Sequence, residues 1–89
     1  MKYETEIQEL IKSYLIEAIE DESVDLAQDF ALMGLDSMSV FNFTTQLKLI
    51  IPSIPLTIFL ECKNVPELTS YLWDNHQEEL TQFFQSREL

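Results

Sequence analysis

Glycine, cysteine and histidine each occur once in this chain, as Gly34, Cys62 and His76. One glycine and three prolines leave little of the turn chemistry that β-hairpins use, so the chain reads as all-α. A single cysteine excludes a disulfide framework and a cysteine metal cluster, and makes a reducing cytoplasm the expected compartment. One histidine and one cysteine cannot close a zinc site, and the acids lack the spacing of an EF-hand loop. No apolar run reaches the length of a membrane span. The charged start Met1-Lys2-Tyr3-Glu4 does not resemble a signal peptide. Bases are scarce as well, five against sixteen acids, for a formal net charge of −11. Nucleic-acid phosphates need Lys and Arg, so this balance argues against that partner and favours basic protein surfaces. Neither nucleic acid nor membrane is an expected partner. Internal repeats and low-complexity linkers are also missing, and 89 residues make one small domain.

What is present is helical periodicity. Ile7, Leu10, Ile11, Tyr14, Leu15 and Ala18 share one face of a first helix from Tyr3 to about Ile19. Glu4, Glu6 and Glu9 suit its N-terminal end. A long connection, Glu20 to Leu35, follows. Glu20, Asp21, Glu22 and Asp25 should be solvated, while Phe30 and Leu32 should pin the loop to the core. A second helix spans Ser37 to about Ile51, where Pro52 ends it. It carries two stripes, Val40-Phe43-Thr44-Leu47-Ile50 and Met38-Phe41-Asn42-Thr45-Lys48-Leu49, and periodicity cannot say which is buried. Pro52-Ser53-Ile54-Pro55 is a breaker, and Thr57 to Glu61 suits one short helical turn. Asn64, Pro66 and Glu67 then open a last helix as cap, first-turn proline and capping-box acid. Val65, Leu68, Tyr71 and Leu72 give its apolar face. Leu80, Phe83 and Phe84 could extend that helix or form another.

The chain's chemistry centres on Met33-Gly34-Leu35-Asp36-Ser37-Met38. Gly34 relaxes the backbone for a sharp turn. Asp36 and Ser37 are both N-cap residue types. Ser37 is therefore expected at a loop-to-helix junction, with its hydroxyl near the surface. A capped helix alone would explain the same residues. A serine hydrolase is a poor reading, because Ser37 lacks the G-x-S-x-G elbow and His76 reads as an exposed helix residue. Cys62 reads as a small packed apolar residue.

Gly34-Leu35-Asp36-Ser37 followed by an apolar residue resembles the G-x-D-S motif of acyl carrier proteins. Downstream, Ile54-Pro55, Ile58-Phe59-Leu60-Glu61 and Asn64-Val65 are similar in order and spacing to carriers of polyketide type. Cys62-Lys63 departs from the usual aromatic-proline pair, and Asn64 replaces threonine. The likeness covers about Ile7 to Leu72.

The resemblance implies a small four-helix bundle with three longer helices, one short helix and a long first loop. It implies a carrier domain over 1–75, with 76–89 as a helical extension or tail. It makes Ser37 the attachment site of 4'-phosphopantetheine, taken from coenzyme A, with Gly34 and Asp36 beside it. The function implied is a carrier, not an enzyme, presenting acyl or polyketide intermediates as thioesters. Its partners would be a phosphopantetheinyl transferase and a ketosynthase, acyltransferase or other acyl-processing enzyme. An aromatic Phe43, six residues after Ser37, hints at β-branching enzymes. Carried over, the docking face is that of Met38, Phe41, Asn42, Thr45 and Leu49, and it holds no acid. Leu35, where peptidyl carriers commonly have a second glycine, tilts the reading from aminoacyl toward acyl cargo. An acidic helical interaction module without a prosthetic group is the competing class.

Overall fold

The computed structural model describes residues 2–20, 23–55 and 57–87. Of the described residues 71% are helical, and none forms a strand. Helix α1 spans Glu4–Ile19, α2 Ser37–Ile50, α3 Ile58–Glu61 and α4 Val65–Ser86, and a 3-10 turn, Phe30–Leu32, interrupts the first loop. It is the all-α, carrier-type bundle that the sequence implied, with three long helices and one short one.

Helix α1 buries Ile7, Ile11 and Leu15 and packs on both α2 and α4. The choice between the two stripes of α2 is now settled. Phe43, Thr44 and Leu47 are buried, whereas Met38, Phe41, Asn42, Thr45 and Leu49 are exposed. The selection follows from size and continuity: Phe43 stands edge-on to Phe59, with ring centroids 5.0 Å apart. Phe59 in turn meets Phe30 at 4.6 Å. One aromatic row thus links α2, α3 and the first loop. Burying a phenylalanine fully is worth about 1.5–3 kcal/mol.

The long loop is anchored differently from the expectation. Phe30 is buried, but Leu32 is 70% exposed and pins nothing. The 3-10 geometry is the reason. With three residues per turn, positions 30 and 33 eclipse, so Met33 rather than Leu32 shares the inward side of Phe30. Met33, Val24, Leu26 and Leu35 pack against the core as partly buried residues. The Phe30 N–H donates to the Lys63 carbonyl at 2.7 Å, tying the loop to the entry of α4. Glu20 and Asp25 are exposed, and the expectation for Asp21 and Glu22 lies outside the described residues.

Helix α4 begins as its capping pattern implies. The Asn64 side chain accepts the Glu67 N–H at 3.0 Å, with Pro66 in the first turn. The helix then continues to Ser86, changing direction at His76, whose backbone is non-helical (φ −133°, ψ 30°). Beyond that kink Leu80 is fully buried, and Phe84 stacks on Tyr3 at 5.0 Å.

Candidate functional site

Gly34 turns the chain with φ +73°, a left-handed conformation that side chains with a Cβ seldom take. The space around it is open, with no neighbouring atom within 4 Å of where a Cβ would stand. The need for glycine there is therefore conformational and not one of close contact. Leu35 is half-buried against the core, and Asp36 is extended at φ −97°, ψ 179°. Asp36 is the N-cap of α2. Its carboxylate accepts the Ser39 N–H at 2.8 Å, and its carbonyl accepts the Val40 N–H at 3.0 Å. The Ser39 N–H bond is the main reason that the Asp36 carboxyl is held below the usual carboxylate range. Asp36 is thus a charged cap at neutral pH, and Ser37 is free of that duty.

Ser37 is the first residue of α2 and is exposed. A helix N-terminus presents N–H groups and the positive end of the helix dipole, which favours an anionic group such as a phosphodiester. An exposed hydroxyl at the head of a 14-residue helix, next to an open glycine turn, fits a phosphate-linked arm on both steric and electrostatic grounds. A family model described as phosphopantetheine attachment site matches residues 6–72, the span that holds this junction.

The chain belongs to the phosphopantetheine-attachment family. No curated protein and no solved structure matches it significantly. As a family member it is a carrier whose prosthetic group is 4'-phosphopantetheine. When bound, that group supplies a flexible arm ending in a thiol, which holds cargo as a thioester. The competing class of an interaction module without a prosthetic group falls away with the family match.

The surface of this carrier near Ser37 is apolar. Met38 and Phe41 are 65% and 63% exposed, and Leu49 lies farther along the same face of α2. Two further apolar residues that sequence periodicity missed are strongly exposed, Leu32 on the 3-10 turn and Leu60 on α3. Short single turns carry no readable period, which is why neither stood out. Leu49 also forms the lip of an open groove of about 480 Å³ with Pro52, Glu79, Gln82 and Phe83, walled on one side by the distal part of α4. Between Met38 and Leu60 the only charge is Lys48. Phe43, by contrast, is fully buried and presents no surface to a partner.

His76 corrects the sequence reading. It is buried, not exposed. Its Nδ1 lies 3.2 Å from Ser53 Oγ and 3.2 Å from Glu79 Oε1, while Ser53 Oγ donates to Glu79 Oε1 at 2.9 Å. Helical phase accounts for the burial: His76 stands four residues after Leu72 and four before Leu80, both buried, so it falls on the same inward stripe of α4. Burial raises the Glu79 carboxyl, but its bonds from His76 and Ser53 outweigh that, and the net shift is downward. Serine, histidine and carboxylate in contact invite a hydrolase reading, but the connectivity forbids it. A triad needs the acid on one ring nitrogen and the serine on the other. Here both meet Nδ1, so the cluster is a structural clasp between the α2–α3 loop and α4.

Cys62 is buried, and burial pushes its thiol up to about 11. The thiolate is the reactive form. In the folded protein loaded with its arm, a thiol reagent at pH 7.5 should therefore label one site, the arm's thiol, and leave Cys62 untouched. Peptide mapping after a short pulse checks this; rapid label on Cys62 in the folded apo form would contradict it.

Proposed function

We propose that this carrier is of acyl type, bearing its arm on Ser37, and that it passes thioester-linked acyl or polyketide intermediates among separate enzymes. The observation that carries the reading is the exposed Ser37 hydroxyl at the head of α2, with the helix already capped by Asp36. In loading, Ser37 Oγ forms a new P–O bond as the pyrophosphate of coenzyme A breaks and adenosine 3',5'-bisphosphate leaves. Asp36 is adjacent, but a carboxylate with a lowered pKa is a poor base. The hydroxyl proton is therefore left to a base on the transferase. The chain contributes position and exposure and has no active site of its own.

Leu35 supports acyl over aminoacyl cargo. It packs against the core as a bulky apolar residue where peptidyl carriers commonly have glycine. The partners are a phosphopantetheinyl transferase and acyl-processing enzymes such as a ketosynthase or acyltransferase. The buried Phe43 gives β-branching enzymes nothing to touch directly. Among the described residues no helix is long and apolar enough to cross a membrane, and a cytoplasmic setting suits a chain with one buried cysteine. Incubation with coenzyme A and a broad-specificity phosphopantetheinyl transferase tests the reading. Intact-mass spectrometry should show the gain of one phosphopantetheine, and an unchanged mass would defeat it.

Docking on this reading is led by Met38, Phe41 and Leu49, with Asn42 and Thr45 between them. Exposed contiguous apolar side chains mark interaction sites. Buried anchors act mainly on off-rate, whereas rim charges act on on-rate and its salt dependence. Phe41→Ala or Met38→Ala should each cost on the order of 1–2 kcal/mol of affinity for a cognate partner enzyme. Titrations at low and high salt decide the matter. Binding that collapses in salt, with both alanine variants equal to wild type, would place the surface elsewhere.

A further inference from the structure

The first turn of α2 holds a second serine that is bonded on both sides. Its N–H donates to the Asp36 carboxylate at 2.8 Å. Its hydroxyl donates to the Ala18 carbonyl at 3.3 Å, a contact spanning 21 positions of sequence. Ala18 lies in the last turn of α1, where carbonyls have no partner within the helix. The nearby Ile16 carbonyl is taken by the Glu20 N–H, so Ser39 serves a carbonyl that the α1 cap leaves open. The bond is partly buried, which shields it from competing water. Ser39 therefore connects the end of α1 to the cap of α2 through one residue. Ser37 is two positions away, on the same rigid turn.

We propose that Ser39 is a positioning residue for loading: it fixes the first turn of α2 against α1 and so sets where the Ser37 hydroxyl stands when a transferase is docked. This rests on the reading of Ser37 as the attachment site. The physical need is plain. A hydroxyl at the head of a helix moves with the helix, and the outer side of that turn, Met38 and Phe41, is mostly exposed. Core packing through Phe43 and Leu47 places the body of α2, but both stand beyond its first turn. The Ser39–Ala18 bond ties that first turn itself to the end of α1. A displacement of about 1 Å at a reacting atom can cost up to about a hundredfold in rate.

The role makes a kinetic signature. Ser39 is not on the Met38–Phe41–Leu49 face, so losing its hydroxyl should leave the KM for the carrier near wild type and lower kcat of loading. Ser39→Ala should lose roughly tenfold in kcat. Ser39→Thr, which keeps the hydroxyl, should restore most of it. Ser39→Val differs from Ser39→Thr by that hydroxyl alone and should behave like Ser39→Ala. The pair keeps the comparison valid even if the alanine variant folds poorly, and Ser13→Ala on the exposed side of α1 serves as the control. Initial rates of mass conversion with coenzyme A and one transferase, over a range of carrier concentrations, provide the readout. Equal kcat for the Thr and Val variants, or a loss confined to KM, would overturn the role of Ser39. Failure of the underlying reading looks different: wild-type protein would gain no mass, or Ser37→Ala would still gain it.

Discussion

Ser37→Ala should abolish the phosphopantetheine mass gain completely while leaving the helical circular dichroism and melting temperature near wild type. Two features make the substitution clean. Ser37 is exposed, so no core volume is lost. The capping bond of α2 comes from Asp36 to the Ser39 N–H, so the helix start survives the loss of the Ser37 hydroxyl. Alanine is also the best helix former for an exposed position in the first turn. Other serines stand in different settings. Ser39 donates its hydroxyl to the Ala18 carbonyl, and Ser53 donates its own to Glu79. The measurement is intact mass after exhaustive incubation with coenzyme A and transferase. Phosphopantetheine found on the Ser37→Ala protein would remove the assignment of the attachment site, though not membership of the family.

The junction around Ser37 was legible because its chemistry is local. A left-handed glycine, a cap and an exposed hydroxyl lie within four consecutive residues, and each is a property of residue type and neighbours. The helix starts at Ser37 and Val65 were legible for the same reason: each follows a side chain that accepts an N–H three residues on. What escaped the sequence depends on contacts between distant positions. The Ser39–Ala18 bond joins residues 21 apart. His76 lies on the inward stripe of α4 between Leu72 and Leu80, and what hid its burial is the polar partner that satisfies it, Ser53, 23 residues earlier. Leu32 was misplaced because the first loop has no readable period, and nothing in residue type announces the 3-10 turn that sets Leu32 away from Phe30. The two stripes of α2 share one period, so periodicity alone did not choose between them, and the aromatic row through Phe59 and Phe30 marks the buried one.

Removal of residues 76–89 should be strongly destabilising, although the family match ends at residue 72. On sequence the segment reads as an extension or tail. In the structure it carries a share of the core. Leu80 is fully buried. Phe84 stacks on Tyr3, with ring planes 26° apart, and Tyr3 is itself only 4% exposed. Cutting at 75 would strip one leucine from the core, uncover Tyr3 at the head of α1, and break the clasp of His76 and Glu79 on Ser53. Leu80→Ala alone should cost about 3 kcal/mol, within the range for large-to-small changes at buried positions. The whole segment should be worth on the order of 5 kcal/mol by apolar area and ring packing. Small domains have about 5–15 kcal/mol in all, so a 1–75 fragment should melt broadly or not fold. Arg87 over the Phe83 ring at 5.0 Å lies at the surface end of the segment. Arg87→Ala should therefore change little, which gives an internal control. Urea unfolding followed by circular dichroism compares the full chain, Leu80→Ala, Arg87→Ala and the 1–75 fragment. A fragment unfolding as cooperatively as the full chain, at the same urea midpoint, would show that the distal half of α4 rides on the bundle without holding it together.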